Sequence, residues 1–320
     1  MSRPDNREAW SRFWADGGAG PESGCLPKAL ETMDEAQREL WQSFAGELRR
    51  GAHVLDLATG DGLVLGKMRA IRGDLKLTGV DSSPVLPPAR KGLRLRAGVA
   101  MESLPFRDAS FDAVTSQFGV EFGEARRVAE EVGRVLRPGG VLQFVIHYRD
   151  GPILAHNLPL RAAMRWAAQE SGYVEKARAF VRARKVARLP TPPHFRTAPG
   201  EARRRFPGQP GAEEFLAAIF QTLELSRNAR IGEALEVLQT LEERALNQIA
   251  RVDALEGAAR DRAGLTALME DFEAAGLSLS SPGEVRERGV ETPFAWLVRG
   301  RRPAEQERPA ITPRGDNRPA

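Results

Sequence analysis

Between His53 and Tyr148 short apolar runs alternate with amphipathic stretches, and this alternation constrains the fold more than any other feature of the chain. Parallel neighbours in a sheet need a crossover long enough to hold a helix, so the pattern favours βαβ units. Strands are predicted at 53–57, 75–80, 93–96, 111–116 and 141–147. The spacing of Ala125, Val128, Ala129, Val132, Val135 and Leu136 predicts a helix over 122–137, stopped by Pro138-Gly139-Gly140. Pro84, Pro87 and Pro88 allow at most a short or distorted helix between the second and third strands.

The flanking segments read differently. Residues 1–50 carry two predicted helices, one with Trp10, Phe13 and Trp14 and one over 30–49, separated by the breaker Gly17-Gly18-Ala19-Gly20-Pro21. The first aromatic group reads either as a lid over a site or as a face packed on the core. Over 151–258 the strand signal vanishes and helices are predicted near 159–188, 212–226 and 229–250. The six prolines of 189–210 predict an irregular linker inside this helical insert. Residues 259–300 add a helix through Leu265, Leu268, Met269 and Phe272 and a closing pair of strands at 277–285 and 294–300, while 301–320 reads as a disordered tail.

Composition removes several classes. No apolar run approaches the roughly 18 residues of a membrane span, and the N-terminus lacks a basic start followed by an apolar stretch, so no membrane partner and a cytoplasmic location are expected. A single cysteine, Cys25, excludes an intramolecular disulfide, and His53, His147, His156 and His194 show no ligand spacing, so no metal site is expected. The net charge of +4 advertises an anionic partner only weakly, because lysine supplies just six of the 47 basic residues and the arginine excess matches a GC-rich coding bias. One segment, 176–205, concentrates ten basic residues against the single acid Glu201, and reads either as a nucleic-acid surface or as a solvated face.

The strongest chemical signal is His53-Val54-Leu55-Asp56-Leu57-Ala58-Thr59-Gly60-Asp61-Gly62, a strand ending in an acid and then a glycine-containing turn that opens a helix. It is neither the dinucleotide fingerprint, since Leu65 stands where the third glycine belongs, nor a phosphate loop, since no Gly-Lys-Ser/Thr follows. The second strand ends in Asp81, a carboxylate placed to accept hydrogen bonds from both hydroxyls of a ribose. Loop and acid together imply a nucleoside ligand without a pyrophosphate.

Further motifs follow in order: Glu102-Ser-Leu-Pro-Phe106, Ser110-Phe-Asp-Ala-Val114, Ser116-Gln-Phe-Gly119 and Leu136-Arg-Pro-Gly-Gly140. With them the sequence resembles the class I S-adenosylmethionine-dependent methyltransferases, in the branch similar to ubiquinone/menaquinone-biosynthesis methyltransferases, over about 50–150 and 260–300. The resemblance implies an α/β, Rossmann-like, seven-stranded, mostly parallel sheet with an antiparallel edge pair, the helical insert following the fifth strand. It implies a core of 51–150 and 259–300, with 151–258 capping the acceptor pocket. It also implies S-adenosyl-L-methionine as cofactor, with Asp56, Ala58, Gly60 and Gly62 around the methionine moiety, Asp81 on the ribose, Met101 and Glu102 at the adenine, and Ser116 and Gln117 beside the sulfonium. Ala58 and Ala100 depart from commoner glycine and aspartate.

The expected activity is transfer of the sulfonium methyl to an O or N atom of a small-molecule acceptor. His147, ending the fifth strand, is the candidate general base or else a structural histidine. Two other readings stay open: an RNA methyltransferase using 176–205, against which the absence of an Asn-Pro-Pro-Tyr-type motif at Ser116-Gln117-Phe118-Gly119 counts, and a cofactor-binding protein without activity.

Overall fold

A computed structural model describes residues 6–15, 33–184, 189–227 and 230–304. Cys25, the 17–21 breaker and nearly all of the expected tail lie outside the described residues. Helices α1 (Asn6–Ala15) and α2 (Met33–Glu47) precede β1 (His53–Leu57), α3 (Leu63–Ile71), β2 (Lys76–Val80), β3 (Leu93–Arg96) and β4 (Phe111–Gln117). A 3-10 turn (Val120–Phe122), α4 (Ala125–Val135) and β5 (Leu136–His147) follow. The insert contributes α5 (Pro152–Arg165), α6 (Tyr173–Ala183), α7 (Pro193–Arg205), α8 (Pro210–Leu225) and α9 (Ile231–Ala258), and the chain closes with α10 (Arg262–Ala274), β6 (Ser278–Leu279), β7 (Gly283–Val285) and β8 (Ala295–Arg301).

The sheet runs β3-β2-β1-β4-β5-β8-β6, with β7 also paired to β8. β1 to β5 are parallel, while β8 is antiparallel to β5, β6 and β7. The described sheet thus has eight strands where seven are predicted, because the run at 277–285 splits into two short strands around Ser281-Pro282, a proline having no N–H to donate to a ladder. Strand order reverses between β2-β1 and β4-β5, which opens a crevice beyond the carboxyl ends of β1 and β4.

Two apolar layers cover the sheet: Trp41, Phe44, Leu65 and Met68 of α2 and α3 on one face, Val128, Val132, Leu268 and Phe272 of α4 and α10 on the other. The stripe Val128, Ala129, Val132 and Val135 makes α4 amphipathic, and the Glu124 carboxylate caps it by accepting the Arg127 N–H at 3.1 Å. The three prolines between β2 and β3 leave that crossover without a helix.

The insert has its own core, in which Phe195, Ala198 and Ala202 of α7 meet Phe215, Leu216, Ile219 and Leu223 of α8. The proline-rich linker is therefore mostly a helix and not irregular. Pro193 sits at its first turn, where the missing N–H costs nothing, and the buried stripe outweighs the penalty of Pro199 within it. The predicted 159–188 helix is broken by a π-helical turn at Trp166–Glu170 and by Gly172 at φ 71°.

Candidate functional site

One cavity gathers the carboxyl ends of β1, β2, β4 and β5 with α1, α5 and α9. At its floor, Asp56 is 1% exposed and accepts hydrogen bonds from the Thr59 and Thr115 hydroxyls, both at 2.7 Å. Burial pushes its carboxyl up to about 7 against the pull of those hydroxyls, since taking charge out of water disfavours the ionised form. Asp81 is buried too, and accepts the Gly60 N–H on Oδ2 at 3.0 Å and the Ser83 N–H on Oδ1 at 2.9 Å. Burial raises the Asp81 carboxyl, and likewise that of Asp61, above the usual aspartate range.

The turn after β1 needs left-handed backbone at three residues: Ala58 at φ 50°, Gly60 at 52° and Gly62 at 78°. Ala58 bears the steric cost of that region, about 1–2 kcal/mol for a residue with a β-carbon. A Cβ at Gly60 would run into the Trp14 indole, so that glycine is where α1 lies on the loop.

The sequence-predicted residues divide by where they face. Asp56, Ala58, Gly60, Asp81, Met101, Glu102, Gln117 and His147 line the cavity. Gly62 turns toward Leu93, and Ser116 spends its hydroxyl on the backbone, donating to the Leu57 carbonyl and accepting the Val120 N–H, each at 3.0 Å. Gln117 is fixed from α2, its Oε1 accepting the Trp41 indole N–H at 2.6 Å and its Nε2 donating to Gln37 at 2.9 Å.

His147 is 6% exposed, stacked on Phe118 with centroids 4.2 Å apart and meeting Phe122 edge-on at 6.1 Å. Its Nδ1 lies 2.7 Å from Glu121 Oε1, which also accepts the His147 backbone N–H at 3.0 Å. A buried carboxylate at Nδ1 places the ring proton there and leaves the Nε2 lone pair for the cavity. Tyr148 points to the opposite face and packs on Trp296 at 4.7 Å, as alternation along a strand requires.

Sequence reasoning missed Glu121, whose only local signal is an acid just beyond β4 between Val120 and Phe122. It also missed Asn157 and Arg251, brought to the cavity by α5 and α9. His53, His156 and His194 are not part of the cavity lining, and among the described residues no group of three or more His, Cys, Asp or Glu side chains is placed to hold a metal ion. No helix among them is long and apolar enough to cross a membrane.

Residues 55–144 match the family model described as a methyltransferase domain. Over 95 residues the chain is 44% identical to the demethylmenaquinone methyltransferase of Thermotoga maritima, a stretch covering 28% of this chain and 41% of the relative. Over 132 residues it is 32% identical to the ubiquinone/menaquinone biosynthesis C-methyltransferase UbiE of Yersinia enterocolitica, covering 36% and 52%. The chain thus spans about half or less of the length of these curated relatives. Among solved structures, an SAM-dependent methyltransferase from Methanosarcina mazei aligns over 82% of this chain and 98% of its own at 16% identity, with a TM-score of 0.38.

Proposed function

We propose a methyl transfer to a small organic acceptor, on the premise that the chain belongs to the class I S-adenosylmethionine-dependent methyltransferases. The observation that carries the reading is one cavity holding buried Asp56 and Asp81 at its floor and the Glu121-His147 pair on its wall. The residues suit the cofactor: a buried carboxylate whose partners are hydroxyls is what an ammonium group satisfies, and the close approach at Gly60 and the Asp81 carboxylate suit a ribose. Asp56, Ala58 and Gly60 hold the methionine end, Asp81 the ribose, and Met101 and Glu102 border the adenine.

When bound, S-adenosylmethionine supplies an electrophilic methyl group on a positively charged sulfur. The chain's share is alignment and proton handling. His147 Nε2 takes the proton of an acceptor hydroxyl, and the Glu121 carboxylate stabilises the resulting imidazolium. Carbon, and not the O or N atom expected from the sequence, is the acceptor atom we favour. The relative named a C-methyltransferase supports it: ionising a ring hydroxyl loads electron density on the neighbouring ring carbon, which would form its bond to the methyl as the methyl–sulfur bond breaks, S-adenosylhomocysteine would leave as the neutral thioether, and the ring carbon would then give up its own proton. α5 and α9 cap the acceptor, with Trp10 and Trp14 of α1 closing over it, and the expected cytoplasmic location belongs to the same reading.

Nucleic acid is the poorer acceptor. Arg178 pairs with Glu242 and Arg203 with Glu213, Arg184 donates to the Leu189 and Leu223 carbonyls, and Arg205 lies over Trp166, so much of the basic segment is spent on the insert itself. Lys185 and Arg188 lie outside the described residues. Calorimetric titration of S-adenosylhomocysteine tests the premise: wild type binds, and Asp81→Ala weakens binding at least tenfold, about 1.4 kcal/mol. Absence of binding to wild type would overturn the reading.

A further inference from the structure

The Glu121-His147 pair is held through its backbone more than through its side chains. Glu121 is 2% exposed, and its Oε1 takes both of its hydrogen bonds from His147, while Oε2 has no hydrogen-bond partner among the described residues. A carboxylate without a second anchor keeps its place only as well as its main chain does. Here the main chain is a three-residue 3-10 turn, whose own hydrogen bonds are poorly aligned, so its position has to be fixed from outside.

Among the described residues, two side chains tie that turn down by hydrogen bonds. The Val120 N–H donates to the Ser116 hydroxyl, and the Glu121 carbonyl accepts an N–H of the Arg260 guanidinium, each at 3.0 Å. Arg260 stands between α9 and α10, outside the cavity lining. Its own main chain is fixed at the end of β5: its N–H donates to the His147 carbonyl at 2.9 Å, and its carbonyl accepts the Arg149 N–H at 3.0 Å and the Trp296 indole N–H at 2.8 Å. The guanidinium also donates to the Gly257 carbonyl, in the last turn of α9, at 3.2 Å. One residue thus grips both members of the pair, His147 through its backbone N–H and Glu121 through its side chain, and joins them to the insert. A planar guanidinium suits this task, because its charged donors can serve two carbonyls at once.

We infer that Arg260 is a positioning residue for the base: it holds the Glu121 carboxylate against His147 Nδ1, which keeps the ring proton there and leaves the Nε2 lone pair for the acceptor. The inference rests on the role proposed for His147 in methyl transfer. It gives the end of the insert a task at the reacting centre that it does not itself line.

The test reads the tautomer by nitrogen-15 NMR of the full chain labelled in its histidine rings. The chain has four histidines, and His147→Gln identifies the signal of interest. At about pH 8.5, where an ordinary imidazole is neutral, wild type is expected to carry the His147 proton on Nδ1. Arg260→Met keeps the length of the side chain but donates nothing, and is expected to lower the ratio of Nδ1- to Nε2-protonated ring at least about threefold, with Arg260→Lys between the two. The signals of His53, His156 and His194 should stay in place, which reports that the fold is intact, and S-adenosylhomocysteine affinity should stay within about threefold of wild type. A wild-type ring protonated on Nε2, an unchanged ratio in Arg260→Met, or a change that spreads to all the histidines overturns the inference alone. Should Arg260→Met fail to fold, Arg260→Lys decides: a lowered ratio upholds the inference and a wild-type ratio overturns it. Failure of wild type to bind S-adenosylhomocysteine overturns the parent reading and this one with it.

Discussion

The sheet end and the helical end of the cavity are built by different means. The sheet end is local: Asp56, Thr59 and Gly60 lie within five residues, and Asp81 reaches the same loop from the adjoining strand by accepting the Gly60 N–H. The helical end is assembled from distant segments, α1, α5 and α9, whose lining residues Ile153 and Leu255 pack into the sheet's core while the rest of the insert keeps a core of its own. A nearly fixed loop suits a cofactor common to many enzymes, and a composite wall suits the part of the reaction that varies between them.

The largest effect should separate the two ends through chemistry. His147→Gln keeps a polar side chain but removes the proposed base, and turnover of any accepted substrate should fall by roughly 10²–10⁴, about 3–5 kcal/mol of barrier. S-adenosylhomocysteine affinity, which the proposed reading assigns to the sheet end, should stay within about threefold. Glu121→Gln should cost less and shift the pH profile of kcat, because the ring proton on Nδ1 would then face an amide in place of a carboxylate. Equal activity of wild type and His147→Gln would make His147 a structural residue and leave catalysis to alignment alone.

The next effect separates the ends through stability. Leu223 on α8 is fully buried in the insert core, and Leu223→Ala should destabilise by about 2–5 kcal/mol. If the two cores are energetically distinct, thermal unfolding of that variant should show an earlier transition while S-adenosylhomocysteine still binds. Leu55→Ala, equally buried beneath the sheet end, should weaken both. A single cooperative transition lost together with cofactor binding in both variants would show the insert and sheet to be one folding unit.

This division also explains what could be read from the sequence. β1, its glycine turn, Asp81 and α4 were legible because each is specified by neighbours in the chain: a strand ending in an acid, a turn that needs left-handed backbone, a stripe at helical spacing. Ser116 directly precedes the cavity-lining Gln117 but is not itself part of the lining, its hydroxyl lying where two backbone groups need it, and nothing in the linear pattern announces that. Glu121 and His147 are 26 residues apart, and Arg251 stands beyond four other insert helices, so their convergence is a tertiary fact. α7 was hidden for the opposite reason: local proline signals argue against a helix that burial of Phe195, Ala198 and Ala202 nevertheless stabilises.

The smallest effect concerns protons at the sheet end. Asp56 ionises near 7 in the folded protein against an ordinary value of 3.8, because burial penalises its charge. The folded state therefore holds this proton more tightly than the unfolded chain does, and stability fully present below about pH 4 is lost as pH rises toward about 7. Asp56→Asn, neutral throughout, should lack that slope. A bound ammonium group reverses the preference by favouring the carboxylate, so S-adenosylhomocysteine affinity in wild type should rise by up to about tenfold per pH unit below about 7 and level off above it. Asp81 and Asp61 are raised by burial as well, but in Asp56→Asn they remain, so any slope left in that variant belongs to them and the difference belongs to Asp56. Titrations in buffers of different ionisation enthalpy should show a proton released on binding near pH 6 in wild type and not in the variant. A flat wild-type profile would mean that water reaches Asp56 or that the cofactor's ammonium is held elsewhere, and the sheet end would then owe its cofactor affinity to Asp81 and the backbone turn.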